Sequence, residues 1–165
     1  MAQVIADMSM SLDGYIADAR DGVKEVFAWL GSGSPDNAGI IEQSMADVGA
    51  VLTGRRTSDL AKAWRGQHPA GVPTFVISHR PPPDDLDAGT STVFFVDDLE
   101  EAVRQAKDTA GNKAVAVAGG DVVRQLLSLG LLTRSGFRSC QSSSERGSPS
   151  SPTSPTRRSR SRRRW

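Results

Sequence analysis

The chain has 165 residues, 38% of them hydrophobic, a formal net charge of +1 and one cysteine. That length suits a single domain with one real core, which needs no disulfide or metal staple. No run of about 18 apolar residues could span a membrane, no basic-then-apolar leader opens the chain, and one cysteine excludes a disulfide framework or a Cys-rich zinc site.

The small net charge sums two unlike parts. Residues 131–165 hold nine Arg, no Lys and one Glu, a net of +8, which leaves 11 basic and 18 acidic residues, a net of −7, for residues 1–130. The C-terminal part also holds 11 Ser, and its only large apolar residues are Leu131, Leu132, Phe137 and Trp165. Such a composition buries too little apolar surface to offset the entropy of ordering. The expected organisation is an enzyme-like domain over 1–131 and a disordered Ser/Arg-rich tail over 132–165.

In chain order, Ala2–Met10 is mostly apolar with small residues and reads as a buried strand, ended by the turn signal Leu12-Asp13-Gly14. A short apolar patch covers Val26–Leu30. Gly31–Asp36 is a loop, and Asp36 or Asn37 can cap a helix to about Asp47. Ala50–Thr53 reads as a strand, and Thr57 or Ser58 can cap a second helix through about Trp64. Thr74–Ser78 is strongly β-prone and ends at Arg80-Pro81-Pro82-Pro83, because proline lacks the ladder donor. Thr92–Val96 is another strand. Asp97 or Asp98 caps a helix to about Ala110, with Leu99, Ala102, Val103 and Ala106 on one face. Ala114–Ala118 is an apolar strand, and Gly119-Gly120 opens a last helix. Strands alternating with helices predict an α/β fold with a mostly parallel sheet covered on both faces.

Three strand ends carry phosphate-compatible groups. Ala118-Gly119-Gly120-Asp121 joins a strand to a helix, where glycines permit close backbone approach and free N–H groups attract an anion; a plain tight turn would use the same glycines. Gly54-Arg55-Arg56-Thr57 sets two arginines at another such junction, which a solvated basic turn would also explain. Ser78-His79-Arg80 lies at a third. Ligands of open α/β sheets bind at the carboxyl ends of the strands, so the coincidence favours a phosphate-rich cofactor. Asp13 follows a fourth strand end, where it could equally be a turn residue. His68 and His79 lack partners at metal-ligand spacing, and no Gly-x-Ser-x-Gly or Walker pattern is present.

These motifs in this order resemble the dihydrofolate-reductase-like superfamily, and most nearly the bacterial bifunctional deaminase-reductase C-terminal domain family, which includes the riboflavin-pathway reductase. The segments that carry the resemblance are Met10–Ala17, Gly54–Thr57, Val76–Arg80 and Ala118–Leu127, and it covers about residues 2–130. It implies a three-layer fold around a mostly parallel central sheet. It implies an NADPH-dependent reductase that transfers hydride from nicotinamide to a small heterocyclic substrate, such as 5-amino-6-(5-phosphoribosylamino)uracil or a pterin-like molecule. By the same resemblance, Ala17 lines the nicotinamide site, and Gly54, Arg55, Arg56, Thr57, Ser78, His79 and Arg80 hold the adenosine side and its phosphates. Gly119 and Gly120, with Asp121 opening the helix, meet the pyrophosphate. Asp13 is the candidate for contacting substrate or relaying a proton. Glu42 falls roughly where classical relatives carry an acid beside the pteridine ring. No deaminase zinc motif accompanies the reductase segments. A cytoplasmic location and, if the sheet is completed, a homodimer are expected.

After Leu131-Leu132 the resemblance stops, and the sheet's last strands are expected to be missing, which could leave Ala114–Ala118 as an unpaired edge. A shifted reading frame accounts for this. If each new codon takes the third base of one codon and the first two of the next, every Ser encoded TCN becomes Phe, Leu, Ile or Val. With GC-rich codons, Thr133–Pro149 shift to D-E-I-R-V-S-V-V-P-V-L-L-G-E-G-I-P, the continuation that the family leads one to expect. The alternatives are a cofactor-binding or inactive remnant, or nucleic-acid binding through the Arg-rich run 157–164, which would attract phosphate backbones without reading sequence.

Overall fold

The computed structural model describes residues 2–11, 15–18, 22–24 and 35–139. The apolar patch at 26–30, Asp13 and the tail beyond 139 lie outside the described residues.

Among the described residues six strands pair side by side, all parallel: β1 (Val4–Met10), β2 (Val48–Gly54), β3 (Thr74–Ile77), β4 (Val93–Val96), β5 (Ala114–Ala118) and β6 (Arg134–Ser139). Their order across the sheet is β4-β3-β2-β5-β1-β6. Among the described residues the α-helices are α1 (Pro35–Ala46), α2 (Arg55–Leu60), α3 (Leu99–Ala110) and α4 (Gly120–Ser128), and a 3₁₀ turn follows α2 at Lys62–Gly66. Among the described residues no helix is long and apolar enough to cross a membrane.

The strands are short runs rich in small and β-branched residues, and β1 and β5 alternate buried with part-exposed positions, so among the described residues one face is packed and the other is partly open. Alternation then divides their side chains. Val4, Ala6, Leu52, Val115 and Val117 face α3 and α4, where Ala102, Val103, Ala106, Val122 and Leu126 complete the main core. Leu52 and Leu126 are fully buried, each contributing about 1.5–3 kcal/mol. A smaller cluster, Ala63 with Val76 and Val93, closes the opposite face near the β4 edge. Helix α3 starts as expected: the Asp98 carboxylate accepts a hydrogen bond from the Glu101 N–H at 2.8 Å, a side-chain cap for an otherwise orphan donor.

Three expectations change. Strand β5 is not an edge, because the chain returns after β4 to insert it between β2 and β1. The ordered chain does not stop at 131. Residues 134–139 add to the free edge of β1 in parallel, with Ile5 opposite Arg134 and Met10 opposite Ser139. Backbone pairing does not depend on apolar side chains, so a Ser/Arg-rich segment can still fill an open ladder.

The third change concerns the helix after β2. It begins at Arg55, without a side-chain cap from Thr57 or Ser58, and ends at Leu60. Lys62, Ala63, Trp64 and Arg65 then adopt φ values of 50, 46, 49 and 53°. Left-handed backbone costs L-residues about 1–2 kcal/mol each. The turn nevertheless buries Ala63 against Val76 and Val93.

Candidate functional site

The chain runs outward from β2 through β3 to β4 and then reverses to place β5 beside β1. Such a reversal leaves a crevice at the carboxyl ends of the central strands. Here it joins a cavity of about 1250 Å³ that runs along one face of β1, β2 and β5, from Val48 and Ala114 where strands begin to Gly54 and Ala118 where they end, with part of α1 and the chain after α2. That exceeds the usual 300–1,000 Å³ of a site for one drug-sized ligand.

Two candidate turns meet at its centre. Gly119 has φ +102°, a conformation that side chains rarely adopt, and a Cβ there would lie 3.1 Å from Thr57 Oγ1. A Cβ on Gly120 would lie 3.2 Å from Ile16 Cδ1, and one on Gly54 would lie 3.2 Å from Val122 Cγ2. Thr53 Oγ1 donates to the Ala118 carbonyl at 2.9 Å, tying the end of β2 to the end of β5. The glycines thus keep a narrow seam open where α4 begins. Its free N–H groups and partial positive charge face the same end.

Of the residues expected from the sequence, Ala17, Gly54, Arg55, Arg56, Thr57, Gly119, Gly120 and Asp121 line this one cavity. Asp121 is largely exposed and pairs with Arg124 at 3.4 Å. Ser78, His79 and Arg80 lie beside the cavity rather than on its wall, and His79 is exposed. Asp13 lies outside the described residues. Glu42 is exposed on α1 and does not line the cavity, whereas its neighbour Gln43 does.

Arg55 is mostly engaged by the protein itself. Its Nε donates to Asp59 at 2.6 Å. Its Nη1 donates to Ser78 Oγ and the Arg80 carbonyl, each at 3.2 Å, and to the Pro81 carbonyl. The guanidinium carbon stands 5.3 Å from the centre of the Phe95 ring, a cation–π distance. Arg55 therefore fastens the start of α2 to the end of β3. Asp59 also accepts from Arg80 Nη2 at 2.9 Å. The Arg55 hydrogen bond is the main reason its carboxyl sits below the usual range, with Arg80 adding to the effect.

Sequence reading missed Asp59, Asp7, Trp64 and His68, the last three being cavity residues. Asp7 had a signal: it is the one charged residue inside an apolar strand. Trp64 and His68 had none, because their approach depends on the left-handed turn. A second cavity, about 470 Å³, lies at the β4 edge between Leu86 and Phe94 and holds none of the candidate residues.

A parallel α/β sheet with a glycine seam at its switch point and arginines at the neighbouring strand end defines an open-sheet α/β domain. Comparison with known proteins gives the family: the profile of the RibD C-terminal domain matches residues 2–135, and the chain belongs to that family. A crystal structure provisionally named as a riboflavin biosynthesis protein from Shewanella sp. PV-4 is 27% identical, with a TM-score of 0.58, over 87% of this chain and 86% of that one. A diaminohydroxyphosphoribosylaminopyrimidine deaminase/5-amino-6-(5-phosphoribosylamino)uracil reductase from Thermotoga maritima is 16% identical, with a TM-score of 0.49, over 78% of this chain and 42% of that one. No curated protein matches the chain.

Proposed function

We propose that the domain is an NADPH-dependent reductase of riboflavin-pathway type, acting on a small aminouracil-like heterocycle. The observation that carries this reading is the convergence of Gly119, Gly120, Thr57 and Ile16 on one cavity at the sheet's switch point. The residues present fit a dinucleotide. A Cβ at Gly119 or Gly120 would crowd the seam, which suits close backbone approach by a pyrophosphate. Arg56, on the same wall, supplies positive charge for the phosphates.

The bound cofactor would supply the hydride. The chain's own residues bind and orient: the seam and Thr57 hold the phosphate bridge, Ala17 and Ile16 cover the nicotinamide side, and Arg56 and Arg80 meet the adenosine phosphates. Asp13 remains the proposed group for substrate contact or proton relay. The expected result is saturable quenching or shift of NADPH fluorescence on adding the purified chain. Absence of binding with both NADPH and NADH would overturn the reading. Turnover of 5-amino-6-(5-phosphoribosylamino)uracil by this exact chain, followed as NADPH oxidation, is expected to be weak, because the edge at β6 is built from Ser and Arg.

Asp59 gives a second expected result. Its carboxylate occupies Arg55 and Arg80 together, so a 2′-phosphate that meets Arg80 must share it. A lowered carboxyl pKa keeps Asp59 ionised at neutral pH, and this competition is lost only as pH falls through that lowered value. Asp59→Asn should therefore tighten NADPH relative to NADH by about 3–10-fold, a modest gain because exposed charge pairs are screened. An unchanged ratio of the two dissociation constants would count against a 2′-phosphate at Arg80.

A further inference from the structure

Trp64 and His68 both line the cavity, distant in sequence from the Gly119 seam, and Trp64 packs on the small cluster of Ala63, Val76 and Val93. Their ring centres are 4.7 Å apart with planes tilted by 60°, an edge-on arrangement typical of stabilising aromatic pairs. His68 Nδ1 accepts the Ala70 N–H at 3.1 Å. An imidazole that accepts at Nδ1 carries its proton on Nε2 when neutral. Burial also lowers the His68 pKa, so the neutral ring is the form at physiological pH. The remaining polar atom of His68 is thus an N–H donor on a ring that packs against the Trp64 indole. A neutral donor does little for a phosphate, which prefers cations. It suits a carbonyl on a flat ring.

We propose that Trp64 and His68 form the substrate-recognition wall of this cavity, taking a flat, uncharged, carbonyl-bearing heterocycle to which His68 Nε2 donates a hydrogen bond. The proposal rests on the reductase reading for the name of the substrate class, but the wall itself is a feature of the structure. His68 is a positioning and specificity residue under this proposal, with no proton to give up in the reaction.

The test uses 5,6-diaminouracil as probe with the full chain, followed by tryptophan fluorescence and in parallel with NADPH titration. Wild type should bind the probe with quenching. Trp64→Phe should lose most of that quenching while keeping the wild-type NADPH affinity. His68→Phe keeps a flat ring without the donor, and should weaken the probe about tenfold with NADPH affinity unchanged. A purely structural pair would instead shift the melting temperature and leave the probe affinity alone. Should His68→Phe fail to fold, the ¹⁵N-labelled wild type serves: its His68 Nε2–H resonance should move on adding probe. No probe binding to wild type, wild-type affinity in His68→Phe, full quenching in Trp64→Phe, or an unmoved Nε2–H resonance would each overturn the proposal. NADPH binding with a failed probe test would sink the wall alone. Probe binding through His68 without NADPH binding would sink the reductase reading and leave the wall.

Discussion

Restoring the alternative reading frame from codon 133 should raise the melting temperature by about 10 °C or more. The register of β6 gives the reason. Ser135, Phe137 and Ser139 pair with Ala6, Met8 and Met10, while Arg134, Gly136 and Arg138 pair with Ile5, Asp7 and Ser9. Parallel partners share a face of the sheet. Ala6 and Met8 belong to the face packed under α3 and α4, and Ile5 and Asp7 line the cavity. In the shifted frame, TCN serines at 135 and 139 become Phe, Leu, Ile or Val, and a phenylalanine codon at 137 does so whatever base precedes it. The three positions on the core face thus all turn apolar. Gly136, opposite Asp7, becomes Arg, Trp or Gly; a TCC codon at Ser135 makes it Arg, an ion-pair partner for that carboxylate. Given TCN serines, the apolar positions of the shifted frame fall on the face that packs under α3 and α4, so the expected gain in stability rests on those codons.

The magnitude follows from burial. In the present chain Ser135 is exposed, and the α4-end residues Leu127 and Leu129 are 58% and 51% exposed. Two or three apolar side chains buried by the restored continuation contribute about 1.5–3 kcal/mol each. In a domain of this size 1 kcal/mol is worth about 3–5 °C. The gene sequence and a thermal melt of the frame-restored chain check it. Serine codons of the AGC or AGT type, or a melting temperature no higher than that of the present chain, would remove the explanation.

How far the sequence revealed this molecule varied with the kind of feature. β3 and β5 were legible because runs of three and five consecutive apolar residues, mostly β-branched or small, leave few alternatives. Helix α3 was legible because Asp98 and the Leu99–Ala106 spacing carry a cap and a face together. The strand-to-helix glycine turn was legible because the backbone of Gly119, at φ +102°, suits only glycine. The position of β5 in the sheet was not, since strand order depends on where the returning chain finds an open edge. Strand β6 was hidden by its composition, which opposes a strand even though the ladder accepts it. The Trp64–His68 wall was hidden for a different reason. Its left-handed turn uses Lys, Ala, Trp and Arg, none of which announces positive φ, and it is held by tertiary burial of Ala63.

Gly119→Ala should weaken NADPH at least tenfold and also destabilise the fold. At φ +102° and ψ 125°, Gly119 lies outside the left-handed helical well that a few other residues tolerate, in a region that is almost glycine-only. Holding alanine there costs about 1–3 kcal/mol. The added Cβ would also meet Thr57 Oγ1 at 3.1 Å, tighter than ordinary contact, so either Thr57 or the α4 N-terminus must move. Both line the cavity where the dinucleotide is proposed to bind. Gly71→Ala separates the two effects. Gly71 also has positive φ, +67°, but a Cβ there meets nothing within 4 Å, and it does not line the cavity. That variant should lower the melting temperature by several degrees and leave the NADPH dissociation constant unchanged. If Gly119→Ala binds NADPH as tightly as Gly71→Ala does, the seam is a packing device and the dinucleotide lies elsewhere.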